Sequence, residues 1–336
     1  MSTVALTISC ERIRAQVQLY PPSPSAMLGF TPSRVHRSNS STLVIGGDGN
    51  VAVLDREKNI GKQYLTSIDS ISLSALAEDV LIVSSQPQAP SLGSKIGLIE
   101  IQPETPSIAG EIPELPTGSI LPFSWDRVLE GTLEALCSEG SNFIFVLHRL
   151  GIYSMEITGT KGEIKVNEKW RSPYPTWKNA MGSGISDRVA AMCFSHHGFN
   201  VLSEGGEWLR LSSENGEILS QGTLKVRDPV YRASDLGDHG IMIMTRGSHA
   251  VIVDHDFNSK HDFTGLPGPV LDVLVNEGIV RWTGWRHDGE FSTEGGEFTL
   301  HNRREIGVGM INYNWCVCND GKVVSWGPYS SESEAV

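Results

Sequence analysis

The chain has 336 residues, 39 acidic against 27 basic, a formal net charge of -12, and is rich in Gly (35) and Pro (17). That charge repels a phosphate backbone over most of the surface and argues against nucleic acid as a partner. No apolar run approaches the roughly 20 residues that span a bilayer, and Glu11, Arg12 and Arg14 interrupt the stretch a secretory leader would need, so the expectation is a cytoplasmic protein without membrane contact.

Along the chain one phrase recurs: an apolar strand, a tight turn with Gly, Asp or Asn, and a second apolar strand. It reads LVIGGDGNVAVL (43–54), then 80–101 with a long insertion at the turn, then FIFVLHRLGIYSMEI (143–157). It returns as FNVLSEGGEWLRL (199–211), IMIMTRGSHAVIV (241–253), IVRWTGWRHDGEF (279–291) and NWCVCNDGKVVSW (314–326). A lone hairpin cannot bury both faces, so a hairpin repeated at this spacing points to sheets packed around an axis.

Each phrase extends to four strands. The predicted innermost strands are AMLGF (26–30), ISLSAL (71–76), LEALC (133–137), VAAMCF (189–194), VYRASD (230–235), VLDVLV (270–275) and IGVGMI (306–311). SIAGEI (107–112) is the predicted outer strand of the second unit, and the last unit lacks one. IRAQVQL (13–19), with alternating apolar and polar residues, is the candidate to fill that gap and remove the open edge. The expected fold is therefore all-β, a single seven-bladed β-propeller over residues 1–328. A strand within 1–20 closes it and a polar tail follows at 329–336; six blades is the alternative. Segments 70–79 and 186–194 also carry helix-start residues and some helical spacing, but their place before a two-strand phrase favours strands.

The repeats resemble WD40-like and RCC1-like propeller repeats in architecture. The local echo is NDGKVVSWG (319–327), similar to the end of an RCC1-type repeat. It covers nine residues and occurs once, and no unit ends in Trp-Asp or carries the Gly-His pair of WD40 repeats. The resemblance implies a fold and leaves activity and partners open.

Three insertions, 85–95, 113–131 and 171–188, fall on adjacent blades two to four and by blade geometry on one face, joined by YPPSPS (20–25). Long loops of this kind are often functional. Phe123, Trp125, Arg127, Trp170, Arg171, Tyr174, Trp177 and Lys178 supply the aromatic and basic mixture found at protein–protein hot spots. They are the expected partner-binding residues, unless the loops fold inward and the aromatics form a minor core. An acidic surface also associates faster with a basic partner at low salt.

Chemical motifs are sparse. Cys10, Cys137, Cys193, Cys316 and Cys318 are an odd, scattered set; the spacing of Cys316 and Cys318 suits two buried thiols on one strand face better than a metal ligand pair. Asp254-His255-Asp256 would need ligands from elsewhere, such as His197 or His287, and turn chemistry explains the run more simply. His196 and His197 read as a solvated turn, and no Gly-x-Ser-x-Gly turn or phosphate-binding Gly-rich loop occurs. The expectation is no metal, no cofactor and no catalytic set. Function then points to a non-catalytic scaffold or adaptor within a protein assembly, of undefined oligomeric state. The alternative is a propeller hydrolase or lyase acting on a carbohydrate or small ester through Glu134, Asp235 and Asp272.

Overall fold

A computed structural model describes residues 26–38, 41–55, 60–87, 93–101, 120–177, 188–296 and 298–327. Among them the regular structure is almost all strand, with one short 3-10 turn at Gly237–His239. The segments at 73–77 and 189–195 that carried helical spacing are strands.

The strands form six hydrogen-bonded sheets. Sheet I runs outward through Pro32–Arg37, Thr42–Gly46, Asn50–Leu54 and Ile60–Thr66, with Ile120–Leu121 added in parallel at its edge. Sheet II holds Leu73–Ala77, Val80–Ser85, Lys95–Glu100 and Trp125–Val128. Sheet III holds Leu133–Glu139, Asn142–Leu147, Gly151–Thr160 and Glu163–Ser172, and sheet IV holds Val189–Ser195, Gly198–Ser203, Glu207–Leu211 and Ile218–Thr223. Sheet V holds Val230–Asp235, Ile241–Thr245, His249–Val253 and Ser259–Thr264. Sheet VI has six strands: Val270–Asn276, Ile279–Ser292, Phe298–Asn312, Trp315–Cys318, Lys322–Ser325 and Ala26–Met27. The first strands of neighbouring sheets lie side by side, and Pro32–Arg37 also meets Phe298–Asn312, so the sheets close a ring: a β-propeller.

The burial pattern explains the strand order. Second and third strands such as Ile241–Thr245 and His249–Val253 are buried at every position, because a neighbouring sheet covers each face. Outer strands such as Glu163–Ser172 are largely exposed, with isolated buried residues. Among the described residues six apolar clusters bridge neighbouring sheets and a seventh lies within sheet VI, and the core is the circular layer between the sheets.

Three expectations are corrected. The sheets number six, not seven: Phe298–Asn312 continues without interruption from the outer strand expected of blade six into the inner strand expected of blade seven. Within that sheet Ile279–Ser292 doubles back. Arg286 takes φ 58° at the bend, Thr293 N–H donates to Gly278 O at 2.9 Å, and a side chain at Gly289 would overlap the Trp282 indole.

The inner strand of the first unit is Pro32–Arg37, not residues 26–30; Ala26–Met27 pairs instead with Lys322 and Val323 as the outer strand at the seam. The chain thus closes its ring with an N-terminal strand, but a later one than IRAQVQL, which lies outside the described residues. The outer strand of sheet II is Trp125–Val128. SIAGEI (107–112), YPPSPS (20–25) and the 329–336 tail also lie outside the described residues.

A recurring irregularity sets the axial register. In five first strands the pairing skips the second residue: Pro32/Arg34, Leu133/Ala135, Val189/Ala191, Val230/Arg232 and Val270/Asp272; Phe298–Asn312 repeats the skip at Gly307/Gly309, whereas Leu73–Ala77 pairs without one. A bulge twists the strand and re-aims the next side chain. It puts Arg34, Arg232 and Asp272 at equivalent heights around the axis.

Candidate functional site

The expected partner-binding residues divide into buried and exposed sets. Trp170 and Trp177 are each 7% exposed and belong to the core between sheets III and IV. Trp170 packs on Gly216 and donates its indole N–H to Ser213 O at 3.0 Å. Tyr174 is half-buried and its hydroxyl donates to Glu134 Oε2 at 2.6 Å. Phe123 lies half-buried over Gly97 with Lys95 Nζ 4.8 Å from its ring centre, and Trp125 packs on the core between sheets II and III. Arg127 and Arg171 are exposed; Arg171 makes a forked pair with Glu168 at 2.7 and 2.9 Å. Lys178 lies outside the described residues.

Trp125, Arg127, Trp170 and Arg171 therefore sit on outer strands of sheets II and III, not in loops. The expected exposed aromatic cluster is corrected accordingly: both tryptophans next to sheet IV fill space between sheets, because a large ring placed at the edge of a sheet gap buries more area there than in solvent. What remains open on this rim is Arg127 and Arg171 with Val128 and Leu150, 64% and 48% exposed.

All six sheets line an axial cavity of about 440 Å³. Its wall is richer in charge than the predicted innermost strands, because the shifted first strand Pro32–Arg37 replaces AMLGF and brings Arg34, His36 and Arg37 to the channel. Arg37 meets Asp272 at 2.5 Å and Arg232 meets it at 3.2 Å, while Met310 N–H donates to the same carboxylate at 2.8 Å. Burial pushes the Asp272 pKa up, but Arg37 and Arg232 outweigh it and hold it below its ordinary 3.8.

Arg34 makes no ion pair among the described residues, and burial followed by repulsion from Arg232 brings it down to about 10. His36 is hydrogen-bonded to Ser74 Oγ at 2.8 Å; burial, then Arg34, Arg232 and Arg37, lower its pKa to about 3, so it is neutral. The alternation in PSRVHR was the sequence signal for this strand, masked by the more apolar AMLGF just before it.

The three acids considered for hydrolysis do not converge. Glu134 is held by His148 Nδ1 at 2.6 Å, the Tyr174 hydroxyl and Val189 N–H at 3.2 Å. It is the second residue of its inner strand and Asp235 the last residue of its own, so at ~3.3 Å per residue they stand roughly 13 Å apart along the axis. Glycosidase carboxylates stand closer, at about 5–9.5 Å. Asp272 is committed to its two arginines.

Of the cysteines, Cys316 and Cys318 are fully buried on one face against Arg303, whose Nη1 donates to Cys316 Sγ at 2.5 Å. Burial also pushes the Cys193 thiol up to about 12. Cys10 lies outside the described residues.

No family model matches the sequence, and no curated protein does. Among solved structures the fold has many counterparts. The β-propeller domain of Cps50 (Swd1) from Myceliophteria thermophila superposes with a TM-score of 0.62 at 10% identity, covering 92% of this chain and 100% of that one. Sqt1 of Saccharomyces cerevisiae gives 0.59 at 10% identity, with 92% and 100% covered. The WD40 β-propeller domain of Doa1 gives 0.57 at 11% identity, with 90% and 93% covered. The chain has the architecture of WD40 β-propellers. At such identity the likeness concerns the fold.

Proposed function

We propose that the protein is a non-catalytic scaffold or adaptor, a cytoplasmic subunit that holds a protein partner on the side of the ring formed by sheets II to IV. The observation that carries this is the division of labour among its charges. The channel acids are tied into structural bonds, while Arg127 and Arg171 stand exposed on neighbouring outer strands, with Val128 exposed next to Arg127 and Leu150 exposed in the turn before Gly151–Thr160. Arginine flanking apolar side chains suits partner binding. In this reading the half-buried Phe123 and Trp125 add to the patch and the core side chains Trp170 and Trp177, with Tyr174, support it; Lys178, expected with them, lies outside the described residues. The double-length sheet VI acts as two blade equivalents in this reading, giving seven radial units. Among the described residues no helix is long and apolar enough to cross a membrane.

The test is purification from the native source of the unaltered chain and of Arg127→Glu/Arg171→Glu. A protein that accompanies the first and is lost from the second, with melting temperature unchanged, is the expected result. Retention of that protein by the charge-reversed chain, or no accompanying protein at all, overturns the reading. Trp177→Ala should act oppositely, lowering the melting temperature through a buried cavity.

A further inference from the structure

Two hairpin turns on neighbouring sheets bring three histidines together. His196 and His197 form the two-residue turn between Val189–Ser195 and Gly198–Ser203, whose flanking residues Ser195 and Gly198 pair directly. His255 lies in the turn between His249–Val253 and Ser259–Thr264. That second turn is fixed by Asp254, which accepts from Asp256 N–H at 2.9 Å and Asn258 N–H at 2.8 Å, and by Arg210, which donates to the His255 carbonyl. The ring centres are 3.9 Å apart for His196 and His197, 4.3 Å for His196 and His255, and 4.7 Å for His197 and His255. One nitrogen from each ring falls within 4.8 Å of the other two.

A second observation comes from His255 itself. Both its ring nitrogens are buried, and neither makes a hydrogen bond of normal geometry, although the Gly237 backbone lies near enough to act on the ring. A buried polar atom left unsatisfied is costly and needs an explanation. His196 and His197 also act electrostatically on the exposed Asp235 carboxylate.

We propose that His196, His197 and His255 bind one divalent transition metal, Zn²⁺ by class, leaving a fourth position open to water or to an outside ligand. Three imidazoles with an open position form a common zinc arrangement, with Zn–N near 2.0–2.1 Å. Tetrahedral geometry at that bond length sets the nitrogens about 3.3 Å apart, so closure from 4.8 Å asks for a shift of roughly 1 Å in side chains of which two are exposed. One nitrogen of His255 would take the metal and the other would face the Gly237 backbone, as ligating histidines usually do. Asp235 supplies negative charge beside the cation.

The test uses the full, untagged chain treated with chelator and then titrated with Co²⁺. One equivalent should bind with the visible absorption of a four-coordinate cobalt centre, and Zn²⁺ should displace it and raise the melting temperature. His255→Ala, and independently the exposed-turn variants His196→Ala and His197→Ala, should each weaken binding at least about 10-fold, the loss that even outer-shell partners produce. The turn variants should keep the melting temperature of the metal-free chain. Absence of the cobalt spectrum at stoichiometric metal, or unchanged affinity in His196→Ala and His255→Ala, overturns the proposal.

Discussion

The middle of the ring and its closing sheet are written in the same strand–turn–strand phrase but held by different chemistry. In sheet V, Ile241–Thr245 and His249–Val253 are buried throughout, and their neighbours are mainly aliphatic and aromatic. Sheet VI contains the fully buried carboxylates Asp272 and Asp288. Asp272 joins Arg37, 235 residues away in sequence, and Asp288 meets Arg303 Nε at 3.0 Å and accepts from Gly327 N–H at 2.8 Å. Apolar contact between consecutive sheets is non-directional and is guided by short connections. Closing the ring brings distant segments together, and a buried ion pair tolerates few wrong registers there. Such a pair adds little net stability compared with an apolar replacement, yet removing one partner strands the other.

Breaking the seam should therefore have the largest effect. Asp272→Ala is expected to cost about 3–5 kcal/mol by leaving Arg37 and Arg232 without their carboxylate, read as the loss in urea unfolding free energy. A loss below about 1 kcal/mol would show that the seam is no more charge-dependent than the surface. Protons probe the same region less severely. The unfolded chain protonates His36 below its ordinary 6.5, whereas in the folded protein burial and the three arginines delay protonation until about 3. Stability contributed by this group is complete above 6.5 and falls through that window as pH drops, by about 1.4 kcal/mol per unit. Asp272 adds to the fall only below 3.8. His36→Gln, which can still bond Ser74 Oγ, should flatten the stability profile between pH 6 and 4; an unchanged slope would show that His36 takes its proton early.

The contrast also separates what could be read in the residues from what could not. The two central strands of each unit were legible because a run such as IMIMT or HAVIV, buried on both faces, has no other use. Inner strands were less so. PSRVHR places two arginines and a histidine on the axis because Asp272 and Ser74 answer them from distant sheets, and local patterning favoured AMLGF. Bulges at the second position leave no mark in sequence, yet they align Arg34, Arg232 and Asp272. Trp170 and Trp177 were visible as a cluster with Tyr174, but their burial depends on sheet IV lying against them. Likewise the SHH and DHD turns were visible singly, and their meeting was not.

In the aliphatic middle, a single methylene should matter by an ordinary amount. Ile243→Val, at a side chain buried in the cluster shared by sheets IV and V, is expected to cost about 0.5–1.5 kcal/mol, with the same pH dependence as the parent. A pH-dependent loss would mean that the two regions are coupled. The smallest effect belongs to the outer strands. Arg171 and Glu168 are 67% and 36% exposed, so water solvates both charges whether or not they touch, and the long arginine chain loses freedom when the pair forms. Arg171→Ala should leave the melting temperature unchanged within error at any salt concentration, although the pair is geometrically better than the 3.2 Å contact between Arg232 and Asp272. A clear salt-dependent drop would show that burial is not what distinguishes the seam from the rim, and would remove the reason for treating Arg171 as a side chain free to serve a partner.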